Sequence, residues 1–232
     1  PRMAPDIAVV DPALTRSLPP AASAASGIDA FTQLIEAFVS RFATPFTDTL
    51  CREGIARCKN ALPALLSDPR NTAARENMSL AALLSGIALA HAKLGAVHGI
   101  AGPLGGMIDA AHGLLCGRLL IPVMKKNIDR LYGTAPDSPA VHKYHELGAI
   151  LCEFDNADAL SACGWLESLC DSLPFAALDR DSLDDTLVHT LAGRALRASS
   201  MKGNPVDLTE DDVVEIVRGA FPSGQHALEH HE

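Results

Sequence analysis

Apolar residues recur at steps of three and four along most of the chain, and this period predicts one helix after another from residue 21 to about residue 220. The clearest run is 21–43, where Ile28, Phe31, Leu34, Ile35, Phe38 and Val39 form one stripe that stops ahead of Pro45. A second helix is predicted over 47–66, capped by Thr47, with Leu50, Ile55, Cys58 and Leu62 inward and Pro63 kinking or shortening its end. Within 72–91 the stretch from Leu80 to Ala90 is nearly apolar on every side, the pattern of a central buried helix. Further helices are predicted over 113–126, 138–153, 156–172, 182–199 and 209–220. The segment Asp207-Leu-Thr-Glu-Asp-Asp212 opens the last of these, its acidic residues suiting both a cap and the positive end of a helix dipole. Only residues 6–10, Asp-Ile-Ala-Val-Val, break the pattern, as a β-prone run ending at the turn opener Asp11-Pro12. The expected fold is a single all-α domain, a multi-helical bundle with a short strand stump at its start.

Composition sharpens this picture. The chain has 232 residues, 48% of them hydrophobic but only 4% aromatic, so the core must be built from Ala, Leu, Ile and Val, which favours helix. A formal charge of −9 with no Lys/Arg stripe argues against a nucleic-acid partner. No stretch approaches a transmembrane run and the first residues lack the pattern of a signal peptide, so a soluble, cytoplasmic protein is expected. The six cysteines form no CxxC pair and read as reduced core thiols. Residues 223–232, ending Leu228-Glu-His-His-Glu232, resemble a cloning remnant leading into an expression tag, and their histidines are set aside.

Two places could carry chemistry. Asp29, Gln33 and Glu36 share one side of the first long helix, since positions four and seven apart nearly coincide in angle. His98 and His112 sit in the glycine-rich apolar run 95–113, separated by a Pro103-Leu-Gly-Gly106 turn. A carboxylate and two imidazoles form a ligand set suited to zinc or ferrous iron, whose Lewis acidity lowers the pKa of an alcohol and eases loss of hydride. The plainer readings are as open on spacing alone. A histidine in an apolar helix is more often a satisfied core residue than a ligand, and an Asp near a helix start is often a cap.

The strings GIDAFTQLIEAFVSRFATPFTD (27–48), ARENMSLAALLSGIALAHAKLGAVHGIAGPLGG (74–106) and HGLLCGRLLIPVMKKN (112–127) closely resemble the C-terminal helical domain of iron-containing, group III alcohol dehydrogenases. IAVVDPALTRSLPP (7–20) is similar to that family's interdomain strand and turn, and NPVDLTEDDVVEIVRGAF (204–221) to its last helix. The resemblance implies a dehydroquinate synthase-like C-terminal fold, with residues 1–20 as the interdomain remnant and 21–222 as the metal-binding helical domain. By position it implies that Asp29, Gln33, His98 and His112 hold a divalent metal, Fe2+ or Zn2+. Two departures stand out: Gln33 replaces the second ligand of many members, and Gly102 stands where many have a histidine near nicotinamide and substrate. His91 is read as a supporting or a surface residue.

The family's other half is an N-terminal domain that binds the dinucleotide, and its glycine-rich loop has no counterpart in this sequence. The resemblance therefore implies a piece of an NAD(P)-dependent alcohol dehydrogenase acting on an alcohol or aldehyde, inactive by itself, with the missing domain as its partner. Self-association through the uncovered apolar wall is a further expectation, and no membrane partner is expected. The Gln33 and Gly102 departures motivate one rival reading, a maleylacetate-reductase-like or metal-independent reductase; a rival of a different class is a non-catalytic helical interaction module that kept the fold and lost the reaction.

Overall fold

Prolines and caps set most of the helix starts. The computed structural model describes residues 7–154, 156–173 and 183–221, and among them are nine α-helices and no strand. They are α1 Pro20–Val39, α2 Pro45–Ser67, α3 Thr72–Ala92, α4 Ala96–Gly105, α5 His112–Thr134, α6 Pro139–Cys152, α7 Ala159–Asp171, α8 Asp185–Arg197 and α9 Glu210–Ala220. Pro20, Pro45 and Pro139 occupy first-turn positions, where a missing N–H costs nothing and φ is already helical. The all-α expectation is therefore met. Residues 1–6 and 222–232, with the tag-like tail, lie outside the described residues, as does the expected helix start at Ser182.

The central helix is α1, which packs against α2, α3, α5 and α6. Its stripe of Ile28, Phe31, Leu34, Ile35 and Phe38 is fully enclosed, and Trp165 of α7 meets Phe31 edge to face with ring centroids 6.1 Å apart. Around it, α6 lies on α7, α4 contacts α5 and α8, and α9 lies against α5 and α8. The cysteines are free thiols, all buried except the half-buried Cys152.

The expected central burial of 72–91 is corrected: α3 covers one side of α1 rather than forming the middle. Its buried residues, Ala74, Arg75, Met78, Ala81, Ser85, Ala88 and Ala92, make a narrow stripe, while Ala82, Leu83, Gly86 and Ala90 face outward. Alanine and glycine read as apolar in a sequence yet expose little hydrocarbon, so an alanine-rich helix looks buried whether or not it is. The strand expected at 6–10 is also absent from the described residues. Ile7 and Val9 are more than four-fifths exposed, because a β-prone run without a second strand has no ladder to join. The turn opener beside it holds, with Asp11 capping a short 3-10 turn over Pro12–Thr15.

At α2 the cap is Thr44 rather than Thr47. Thr47 is its reciprocal partner, so the two threonines cap each other's backbone N–H groups and the helix begins two residues early. Pro63 does not shorten α2, which continues to Ser67. At α9 the expected acidic cap is present as Thr209 and Asp212, and Arg130 of α5 grips the Asp212 carboxylate at 2.7 Å. Thr209→Ala is expected to lower stability by about 1 kcal/mol. For a chain of this length that shifts Tm down by roughly 2–4 °C, which a thermal melt will read. No single helix among the described residues is long and apolar enough to cross a membrane, and α3 and α4 meet at 103°.

Candidate metal centre

The polar face of α1 looks toward the first turns of α4 and α5, and that is where the chemistry collects. Asp29, Gln33 and Glu36 lie one above another along this face. Glu36 is buried, and its Oε1 accepts a hydrogen bond from the Val97 N–H at 2.6 Å, so a side chain of α1 caps the N-terminus of α4. Its other oxygen, Oε2, accepts from His98 Nδ1 at 2.6 Å. Acceptance by a carboxylate fixes the Nδ1–H tautomer when His98 is neutral, and turns Nε2 and its lone pair toward Asp29.

Gly95 makes this cap fit. A Cβ there would come within 2.9 Å of Glu36 Oε1 and 3.0 Å of Asn204 Oδ1, and Asn204 Oδ1 in turn accepts the Ala96 N–H at 3.1 Å. Asn204 is itself held by a reciprocal amide pair with Asn127. Thus the start of α4 is pinned by two side chains from opposite ends of the chain.

His112 is the first residue of α5, and Cys116 follows one turn later on the same face. Gly113 permits the approach, because its backbone lies against the Ala25 carbonyl of α1. Asp29 Oδ1 is 3.2 Å from His98 Nε2 and 3.8 Å from His112 Nε2. Cys116 Sγ is 3.7 Å from His98 Nε2 and 3.5 Å from His112 Nε2. One donor atom from each of Asp29, His98, His112 and Cys116 lies within 4.8 Å of every other, close enough to share one cation. His98 and Cys116 are buried, while the His112 side chain is 48% exposed, so the cluster opens to the surface on that side.

Each group's ionisation is set by its neighbours. Burial alone would lower the His98 pKa, but the Glu36 carboxylate and the contacts with Asp29 and Cys116 outweigh it and hold the imidazole well above its usual range. Burial would raise Asp29, yet the two imidazoles overcome it and leave the carboxyl below its usual value. Burial pushes the Cys116 thiol up to about 11, with His98 pulling in the opposite direction.

Comparison with known proteins gives this geometry its context. Residues 23–221 match the Fe-containing alcohol dehydrogenase family, C-terminal part. The chain belongs to that family. It is 31% identical over 226 residues to alcohol dehydrogenase 4 of Saccharomyces cerevisiae, covering 94% of this chain and 55% of the yeast protein. It is also 31% identical over 228 residues to 1,3-propanediol dehydrogenase of Citrobacter freundii, covering 95% and 56%. The solved iron-containing alcohol dehydrogenase from Thermococcus thioreducens superposes with a TM-score of 0.82 at 26% identity, covering 95% of this chain and 56% of that one. The chain thus spans about half the length of the curated relatives it matches.

As a member of the Fe-containing alcohol dehydrogenase family, the chain brings together three of the four residues expected to meet, Asp29, His98 and His112. Gln33 is beside them, with its amide oxygen facing Ser85 of α3. Its amide nitrogen donates to Asp29 Oδ2 at 2.9 Å and its amide oxygen accepts from Ser85 at 2.9 Å, so both ends of the side chain are engaged. The fourth group at the cluster is Cys116, one of the six cysteines whose pattern predicts core thiols. Its signal was available, since it stands four residues after His112 on a predicted helix. Ser85, by contrast, has no sequence signal that ties it to Gln33.

Gly102 lies one turn past His98, exposed, and a Cβ there would meet nothing within 4 Å, so the site has open space at this position. His91 stands apart, exposed, with its ring edge-on to Phe46. The segment read as a Pro-Leu-Gly-Gly turn is corrected: α4 runs through Pro103 to Gly105, and the link to α5 is residues 106–111. Proline disfavours a helix interior through its missing N–H and its clash one turn back, yet α4 carries it in its last turn.

Proposed function

We propose that this chain is the metal-binding half of an NAD(P)-dependent alcohol dehydrogenase, with residues 21–222 as the metal-binding domain and residues 1–20 leading in from a dinucleotide-binding half. The observation that carries this reading is the convergence of Asp29, His98 and His112 from three helices in a chain of this family. Two imidazoles and a carboxylate fit Fe2+ or Zn2+ by donor type. Bound there, the cation supplies Lewis acidity toward the oxygen of an alcohol or aldehyde.

The residues of the chain have separate tasks. Glu36 holds His98 in the tautomer whose Nε2 can coordinate. Gln33 holds Asp29 through Oδ2, leaving Oδ1 for the shared site; it is assigned here to positioning, and a direct amide ligand would require it to leave Ser85. The exposed edge of His112 gives the substrate oxygen a way in. A nicotinamide carried by the other half would supply the hydride acceptor or donor. A soluble, cytoplasmic enzyme that associates with further copies through the wall of this cleft is the setting proposed.

Metal analysis tests the reading. The full-length protein, purified anaerobically without a polyhistidine tag and with iron and zinc supplied, should carry a stoichiometric divalent ion, lost in His98→Ala and in His112→Ala. A wild-type protein that stays free of metal under those conditions would turn the reading toward a metal-independent reductase or a non-catalytic module.

A further inference from the structure

We infer that Cys116 is a fourth metal ligand, coordinating as a thiolate and replacing the donor that the chain lacks at Gln33. The inference rests on the metal-site reading above and adds a soft sulfur donor to it. The first support is distance. A tetrahedral ion with sulfur at about 2.3 Å, nitrogen at about 2.05 Å and oxygen at about 2.1 Å has sulfur–nitrogen edges of about 3.5 Å and nitrogen–oxygen edges of about 3.4 Å. Here the two sulfur–nitrogen separations are 3.5 and 3.7 Å and the two nitrogen–oxygen separations 3.2 and 3.8 Å.

The second support is the shared sulfur. The Nε2 atoms of both His98 and His112 lie close to Cys116 Sγ, at 3.7 and 3.5 Å. Asp29 Oδ1 likewise faces both. Two nitrogens, one oxygen and one sulfur within 4.8 Å of one another form a donor set of the size that surrounds a cation. The third support is Gln33, whose oxygen faces the Ser85 hydroxyl of α3, which it shares as acceptor with the Ala82 carbonyl, and whose nitrogen, a donor only, faces Asp29. The fourth place is open on the α1 side and filled from α5.

Coordination forms a metal–sulfur bond as the thiol loses its proton to solvent, with no change in oxidation state. Two properties follow. A thiolate makes the site softer than an all-nitrogen-and-oxygen one and biases it toward zinc over ferrous iron. With four donors supplied by the chain, a further oxygen would have to approach from the exposed His112 side.

Cobalt(II) substitution separates this inference from the reading beneath it. Titrating the full-length protein with Co2+ alone should give one equivalent bound, an intense sulfur-to-cobalt charge-transfer band in the near ultraviolet, and visible bands of tetrahedral strength. In Cys116→Ser, shown by circular dichroism to be folded, the charge-transfer band should vanish. Zn2+ affinity should then fall by more than about 100-fold, beyond the 10–100-fold typical of a supporting partner. Stoichiometric cobalt that His98→Ala abolishes, but without the charge-transfer band, would overturn the role of Cys116 and leave the three-residue site standing. No cobalt binding at all would overturn both.

Discussion

Glu36→Ala is expected to lower stability by about 3–5 kcal/mol, the cost of breaking a buried charged pair by removing one partner. Glu36 is 5% exposed and serves two donors, the Val97 N–H and His98 Nδ1, each at 2.6 Å. Truncation leaves a helix N-terminus and an imidazole without their acceptor in an apolar surround, where each unsatisfied group costs roughly 1–3 kcal/mol. Glu36→Gln sorts the structural part from the functional one. Its amide oxygen can still accept one of the two N–H groups, so urea denaturation should show a smaller loss. Metal affinity should nevertheless fall by about 10–100-fold, because the amide no longer fixes and strengthens His98 as a ligand. An E36Q protein that binds Zn2+ as tightly as the wild type would remove Glu36 from the site and leave it only a cap.

The second large effect is Gly113→Ala. A Cβ at this position would lie 2.0 Å from the Ala25 carbonyl oxygen and 2.6 Å from its carbon. Both are backbone atoms of the central helix, so no side chain can swing aside. Overpacking of this kind costs about 3 kcal/mol or more. Since α5 must back away from α1, His112 should be carried from Asp29 and metal binding should weaken with stability. Gly102→Ala is the contrast: it sits in the helix beside the same site with nothing within 4 Å of its new carbon, and should stabilise by about 0.5–1 kcal/mol. Chemical denaturation of the two variants in parallel should give shifts of opposite sign. Equal, small shifts would mean that α1 and α5 are not as closely seated as described.

How far the sequence could be read depends on whether a property is local. The α1 stripe and the Thr209–Asp212 cap depend on residues three and four apart, and both were legible. The position of α3 was not, because alanine-rich periodicity does not reveal which side another helix covers. The strand at 6–10 failed for the related reason that pairing is a property of two segments. Within the site, Asp29, His98 and His112 were legible through the family's motifs, whose spacing fixes their order along the chain. Gln33 shared a face with Asp29 in the sequence, but the rotation of its amide toward Ser85 depends on α3 packing against α1. Cys116 was hidden by the ordinary rule that buried cysteines fill cores, which holds until two imidazoles stand beside one.

Both imidazoles ride on the opening turns of their helices, His98 near the start of α4 and His112 at the first residue of α5, with the link 106–111 between those helices. Helix ends are where a bundle opens first on heating, since their backbone groups have the fewest partners. An ion gripped by both would act as a clasp across that seam and by mass action would favour the closed form over every partly opened one. Loading with metal and the local rigidity of this corner of the bundle would then be two measures of a single equilibrium.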